Sequence, residues 1–393
     1  MILLKEIPVD NDREIKSILV IKLRHIGDVL LTTPVFSTLR RAFPQARIAA
    51  LINSGTEEVL SGHPSIDEII VFDRKIKKFS FLKRYAEEFK FLKSIGGSFD
   101  VAIDLTGGDR AAIISRMSGA WLRAAKDSGK MSLWGKNHLY THRFVLDGLT
   151  HVVMQNLDLV QRLFSIHDET MDYTVHIHVP ERQREDVNRL FKANGVSEYD
   201  RVVHVHPPSR WFFKCWPDEY MAGIIDKLTC FGVRVVVSSS PDEKEIERAN
   251  HILSLVKEKS GGSGSGVISL VGKTTLKGLA AVSERSALFF GVDSAPMHIA
   301  AALNTPVVAL FGPSGVFNWG PWDNRHSVKF PYSKRNSVQH SGIHTAIQRH
   351  WDCIPCGQDG CDGLKKSRCL DDIAVSEVWS VIKGKLESGS FQV

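Results

Sequence analysis

The stretch "SILVIKLRHIGDVLLTTPVFSTLRRAFP" occupies residues 17–44. Its first seven residues, 17–23, form an apolar run that reads as a strand buried on both faces. Residues 32–43 repeat apolar side chains at helical spacing behind Pro34, which suits the first turn of a helix. A buried strand that passes straight into a helix is the opening of a doubly wound α/β domain. Between them lies a turn with one glycine, Gly27, and one carboxylate, Asp28. The turn lacks the G-x-G-x-x-G that lets a backbone approach pyrophosphate, and the chain carries no P-loop. Asp28 therefore has two readings. It is a helix cap accepting orphan amide hydrogens, or a general base at a cleft, placed to take a proton from a substrate hydroxyl.

The alternation continues along the chain. "RIAALI" (47–52), "IIVF" (69–72) and "VAIDL" (101–105) predict further parallel strands, and 79–95 predicts a helix between two of them. After "TVHIHV" (174–179) a polar stretch opens a second array with strands in "RVVHVHP", "VRVVVSS", "GVISLVG", "ALFFGVD" and "PVVALFG". Two arrays predict an α/β protein of two facing, Rossmann-like, doubly wound domains, residues 1–175 and 176–393. The last helix is placed to pack back on the first domain. "GGSGSG" (261–266) predicts a flexible loop.

Length and composition agree with this. The 393 residues suffice for two cores, with 43% hydrophobic and 24% charged side chains. The net charge of +6 and pI of about 8.9 suit an anionic substrate or an anionic membrane surface, and do not amount to a nucleic-acid footprint. "MILLKEIPVDNDREIK" has a four-residue apolar run, shorter than a signal-peptide core, and no run reaches the ~20 residues of a membrane span. These features predict a cytoplasmic protein, at most peripheral to a membrane.

In open α/β sheets, ligands bind beyond the carboxyl ends of the strands. In "GVDSAPMHIAAALNTPVVALFGPSG" (291–315), Asp293 ends a strand and Ser294-Ala295-Pro296-Met297 open a helix whose amides suit a diphosphate. His298 either packs inside that helix or donates to the same anion. "HPPSRWFFKCWP" (206–217) brings Ser209, Arg210 and Lys214 to the mouth of the second domain, where Lys214 pairs a phosphate or stays solvated. In "SSSPDEKE" (238–245), Glu243 accepts from ribose hydroxyls or merely starts a helix. In "IDLTGGDR" (103–110), Thr106 and Arg110 line an acceptor pocket or form a turn.

Taken in order and spacing, "IKLRHIGDVLLTTP", "HPPSRWFFKCWP" and "GVDSAPMHIAAALNTPVVALFGPSG" resemble the hallmark segments of glycosyltransferase family 9, the bacterial lipopolysaccharide core heptosyltransferases. "KLRHIGDVLLTTPVF" and the tail "DCIPCGQDGC…SRCLDDI" are most similar to the heptosyltransferase III branch. The resemblance implies a GT-B fold with acceptor on the first domain and ADP-heptose on the second. It implies inverting transfer of L-glycero-D-manno-heptose to a heptose of the inner core, with no cofactor and no catalytic metal. Asp28 matches the catalytic base, Lys214 the lysine on the donor diphosphate, and Asp293 the acid reaching the donor sugar. Ser294 to Met297 match the phosphate-cradling helix start, with Ser209 and His298 beside it and Glu243 on the ribose. Arg24, His25, Arg74, Lys75, Thr106 and Arg110 are the implied acceptor contacts. The implied partners are ADP-heptose, a heptosylated Kdo–lipid A acceptor and the anionic inner face of the inner membrane, without nucleic acid. A GT-B transferase for another nucleotide-sugar, or a binding protein of this fold without catalysis, also fits the residues.

Two further features stand beside these motifs. Residues 72–97 hold eight Lys/Arg against three Asp/Glu, and Phe81, Leu82, Tyr85, Phe89 and Leu92 share a helical stripe. That stripe is either buried on the sheet or turned to anionic lipid. Cys353, Cys356, Cys361 and Cys369 form C-x2-C-x4-C-x7-C, which fits no standard finger. They hold a structural metal, or they are free thiols or a local disulfide.

Overall fold

The computed structural model of the chain describes residues 13–78, 80–127, 133–259, 266–325 and 329–388. The chain divides into two units, Met1–His178 and Val179–Val393, three residues from the boundary expected. Most of "GGSGSG" lies outside the described residues, as do the side chains of Phe81 and Leu82.

In the first unit six parallel strands form one sheet: β1 (Ser17–Lys22), β2 (Arg47–Asn53), β3 (Glu68–Phe72), β4 (Val101–Asp104), β5 (Leu122–Lys126) and β6 (His142–Phe144). Their order is β3-β2-β1-β4-β5-β6. The chain thus winds outward from β1 in both directions, and the strand order reverses between β1 and β4. From Ile18 to Lys22 every residue of β1 is buried, as the apolar run requires of a strand covered on both faces. Leu19, Ile21, Leu51 and Ala102 meet Phe91 and Leu92 of the helix Phe81–Ile95 on one side of the sheet.

β5 and β6 went unread in the sequence because they carry Arg123, Lys126 and Arg143. The Arg123 guanidinium is tolerated there because it donates to the carbonyls of Leu139 and Ala120, at 2.7 and 2.6 Å. "TVHIHV" forms no strand, although Val175, Ile177 and Val179 are buried in alternation.

Among the described residues the second unit has seven strands: β7 (Val202–His206), β8 (Arg234–Ser238), β9 (Val267–Leu270), β10 (Leu288–Val292), β11 (Val307–Phe311), β12 (Val338–Ser341) and β13 (His344–Gln348). Their order is β12-β13-β11-β10-β7-β8-β9, with the reversal between β7 and β10. Among the described residues, only the edge strand β12 runs antiparallel to its neighbour. It belongs to a hairpin the sequence analysis missed, turning at Gly342, whose φ is +52°. A Cβ there would lie 1.6 Å from Asp323 Oδ2.

The last helix, Val375–Glu387, packs within the second unit. Val378, Ile382 and Leu386 recur every four residues and are buried in the second unit's own core. Val375 closes on Gly223 of the helix Asp218–Cys230. Among the described residues, no helix is long and apolar enough to cross a membrane.

Candidate functional site

The β1/β4 reversal in the first unit opens onto the turn that began the sequence argument. β1 ends at Lys22, and Leu23 N donates to Thr106 Oγ1 at 2.8 Å, so the loops after β1 and β4 are stitched together. Arg24 Nη2 donates to the Thr106 carbonyl at 3.0 Å, and Asn53 Nδ2 to the Arg24 carbonyl at 3.2 Å. A short helix, Ile26–Leu30, then begins, which the sequence analysis did not separate from the longer helix Thr33–Ala42. His25 holds its N-cap position, and half-buried Asp28 lies within its first turn. The N-cap position itself is thus His25's, and Asp28 sits three residues further in.

A cavity of about 350 Å³ opens beside this turn, lined by Arg24, His25, Asn53, Arg74, Thr106 and Arg110 among others. Five of the six proposed acceptor contacts thus share one pocket. Lys75 is exposed and does not line it; its amide donates to Asp73 Oδ1 at 2.8 Å. Arg110 is oriented by Glu88 at 3.0 Å and lies over the Phe72 ring at 4.8 Å.

Beneath the turn sits a buried polar layer that sequence reasoning did not single out. Lys22 is only 5% exposed, and its Nζ donates to the Leu105 carbonyl at 2.9 Å. Burial pulls its pKa down from 10.5 to about 8, against the opposing pull of the Asp28 carboxylate. Asp104 accepts from Tyr140 Oη at 2.5 Å and from the amides of Thr106 and Gly107. Burial nevertheless raises its pKa. The signal in the sequence was a charge inside each of two strands otherwise apolar.

In the second unit the β7/β10 reversal gathers the other candidates. The loop after β7 is pinned by Trp216 Nε1 on the Ile373 carbonyl at 3.1 Å and by Ser367 Oγ on the Phe213 carbonyl at 2.6 Å. Within that loop the amide of buried Ser209 donates to Cys215 Sγ at 3.2 Å, and the thiol in turn to the Ser209 carbonyl at 3.7 Å. Lys214 then reaches across to Asp293, Nζ to Oδ2, at 2.6 Å. Asp293 is 5% exposed. Its burial alone raises its pKa, yet Lys214, the Ser314 hydroxyl and His298 together hold the carboxyl below its usual range.

Ser294 is the N-cap of the helix Ala295–Ala302, with Pro296 in the first turn and His298 buried one turn in. The Ser294 hydroxyl is buried without a hydrogen-bond partner among the described residues. Gln348 braces the loop after β11, donating to the carbonyls of Gly312 and Ser314 at 2.8 and 2.6 Å.

Glu243 starts the helix Glu243–Lys259 and is exposed. The buried carboxylate of this loop is Glu245, 6% exposed, whose pKa burial raises against hydrogen bonds from Ser240. Sequence reasoning missed it because glutamates alternate here and spacing alone does not say which one faces inward. It also missed a buried chain. His206 Nδ1 and His204 Nε2 meet Ser238 Oγ at 2.8 and 2.7 Å, and His204 Nδ1 meets Ser283 Oγ at 2.9 Å. Burial drops both imidazoles to about 3, so they stay neutral and fix the end of β8.

All four thiols of the cysteine cluster are free, and no group of three or more His, Cys, Asp or Glu among the described residues is placed to hold a metal. Cys353 and Cys356 are exposed, whereas Cys369 is buried near Gly312. Burial, and then Cys361, Cys356 and Cys353, push the Cys369 thiol up to about 12.

Comparison with known proteins gives consistent matches. The family model described as Glycosyltransferase family 9 (heptosyltransferase) matches residues 88–341. Lipopolysaccharide heptosyltransferase 3 of Escherichia coli is 33% identical over 308 residues, 77% of this chain and 85% of that protein. A solved glycosyl transferase family 9 structure from Veillonella parvula superposes with a TM-score of 0.73 at 24% identity, covering 95% of this chain and 98% of that one. The E. coli ADP-heptose lps heptosyltransferase II structure gives 0.71 at 21% identity, covering 95% and 100%.

Proposed function

The chain belongs to glycosyltransferase family 9, the heptosyltransferases of the GT-B fold, and we propose that it transfers heptose from ADP-heptose to the lipopolysaccharide core. The finer reading is the heptosyltransferase III reaction: inverting transfer of L-glycero-D-manno-heptose to a heptose of the inner core, with no metal at the catalytic step. The observation that carries it is the Lys214–Asp293 pair at the β7/β10 reversal, beside the start of Ala295–Ala302. A cation, outward helix amides and the Ser294 hydroxyl make a diphosphate site without a glycine-rich loop.

In this reading Asp28 takes the proton of the acceptor hydroxyl as its oxygen bonds to the anomeric carbon and the bond to ADP breaks. An inverting transfer to a sugar needs one base and no protein nucleophile, which accounts for a carboxylate standing alone. The charge that develops on ADP is met by Lys214 and the amides of Ser294 to Met297. Lys214 exchanges its bond to Asp293 for the diphosphate, and Asp293 turns to a hydroxyl of the donor sugar. Glu245 supplies the ribose contact first sought at Glu243. Arg24, Arg74 and Arg110 give the first unit's pocket a positive lining suited to an acidic core acceptor. The protein works in the cytoplasm, peripheral to the inner face of the inner membrane, where such an acceptor is anchored.

The test is ADP release from ADP-heptose with a truncated, heptose-bearing core acceptor, in buffer containing EDTA. Acceptor-dependent release, with NMR showing a side-branch heptose of inverted configuration, supports the full reading. Release with a different linkage removes the type III assignment alone. No release with any heptosylated core removes the activity.

A further inference from the structure

We propose that the outer face of the helices Phe81–Ile95 and Asp109–Met117 seats the N-terminal unit on an anionic lipid surface. The helical stripe marked in the sequence splits in the structure. Leu92 and Phe91 turn to the sheet, and the Phe91 ring packs edge-on to Phe72 at 5.2 Å. Tyr85 and Phe89 turn outward instead, 57% and 67% exposed. On the neighbouring helix Ile113 and Met117 repeat the arrangement four residues apart, 47% and 44% exposed. The two helices are joined by the Arg110–Glu88 ion pair near the start of the second and by Gly96, whose Cβ position lies 3.7 Å from the Met117 carbonyl. Four large apolar side chains are thereby presented on two adjoining helices.

The charge around them selects the occupant. Lys83, Lys90, Lys93 and Arg116 are exposed on the same two helices. Glu88 is committed to Arg84 and Arg110, which leaves half-buried Glu87 as the remaining acid of the helix Phe81–Ile95. Lys90, Lys93 and Arg116 form no ion pair among the described residues. Aromatic and aliphatic side chains ringed by lysines match the interface of an anionic bilayer, where apolar groups enter the headgroup boundary and cations stay with the phosphates. The helix Asp109–Met117 also ties this face to chemistry, since its first residues, Asp109 to Ala111, line the arginine pocket. A seat on these helices holds that pocket near headgroups, where a lipid-linked acceptor presents its sugars.

The inference rests on the proposed function for its purpose, and its test is kept separate. The full chain is sedimented with vesicles of phosphatidylcholine alone and of phosphatidylcholine with phosphatidylglycerol. It is compared with Tyr85→Ser/Phe89→Ser and Lys90→Glu/Lys93→Glu, each checked by thermal melting and by ADP release with a water-soluble acceptor. The expected result is binding to the phosphatidylglycerol vesicles only, weakened roughly tenfold or more in both variants, with melting and soluble turnover unchanged. Equal binding by wild type and variants, or no binding by wild type, overturns the proposal. So does a variant that leaves vesicle binding intact but converts a dimer to a monomer in sedimentation equilibrium, which makes the face a contact with a second copy. Absence of turnover with every acceptor overturns the functional reading alone, because the vesicle measurement does not depend on it.

Discussion

Each sheet ends at its order reversal in a lysine and aspartates, and the two sets are built in opposite ways. In the first unit Lys22 and Asp104 are both buried, yet each is satisfied by neutral groups, the Leu105 carbonyl for one and Tyr140 with two amides for the other. In the second, Lys214 and Asp293 satisfy each other directly at 2.6 Å. Desolvation without a contacting counter-charge moves a group toward its neutral form, whereas a close partner keeps it ionised. The first arrangement is suited to supporting a proton acceptor at Asp28. The second stores a cation and an anion that a charged ligand can separate.

The sharpest test of this contrast is Asp28→Asn, which removes the acceptor of the proton while leaving the donor unit untouched. Its turnover should fall by roughly 10²–10⁴-fold, with ADP binding by calorimetry unchanged. Retained turnover would return Asp28 to a structural role.

Lys214→Met comes next. It leaves Asp293 buried without its cation, so it should lower stability by about 3–5 kcal/mol in denaturant melts and weaken ADP binding. The double variant Lys214→Met/Asp293→Asn should recover most of the stability and none of the ADP affinity. Recovery of both would mean that the pair is structural only.

The pH dependence of the two units has the same sign but falls in different windows, because both folded-state pKa values are depressed. Asp293 in the folded chain titrates below its ordinary 3.8, so its contribution is complete above that value and is lost as pH falls through the folded value. Lys22 has a folded pKa of about 8 against 10.5, so from pH 8 to 10.5 the unfolded chain binds the extra proton. Stability should therefore rise over that window relative to Lys22→Met, by up to about 3 kcal/mol. Chemical denaturation of both proteins at pH 7 and 10 measures it, and parallel curves would show that Lys22 is not buried as a charge.

The smallest effect separates two neighbouring glutamates. Glu245→Gln should raise the Kd for ADP by roughly tenfold, the worth of one hydrogen bond to a charged group, and Glu243→Gln should leave it within about twofold, as a surface substitution does. The reverse order would restore Glu243 to the ribose.

The strands of high apolar density were legible without coordinates, because a strand buried on both faces must be largely apolar, and β1, β2, β4, β7, β8, β10 and β11 all are, apart from one or two polar or charged positions in some. The rule that ligands gather at strand ends then led to Asp28, Lys214 and Asp293. Where burial is shared between polar groups, the same reading failed. β5 hides Arg123 by donating it to two carbonyls, and β12–β13 depends on a turn fitted against Asp323. Local sequence determined which segments must be inside and where the loops must fall, since hydrophobic periodicity and turn chemistry act over a few residues. Only tertiary structure decided that Glu245 rather than Glu243 is buried, that Lys22 lies beneath Asp28's turn and that Phe89 faces outward. Each of those depends on which distant strand or helix covers a side chain, and a covering neighbour contributed from dozens of residues away leaves no mark in the local pattern.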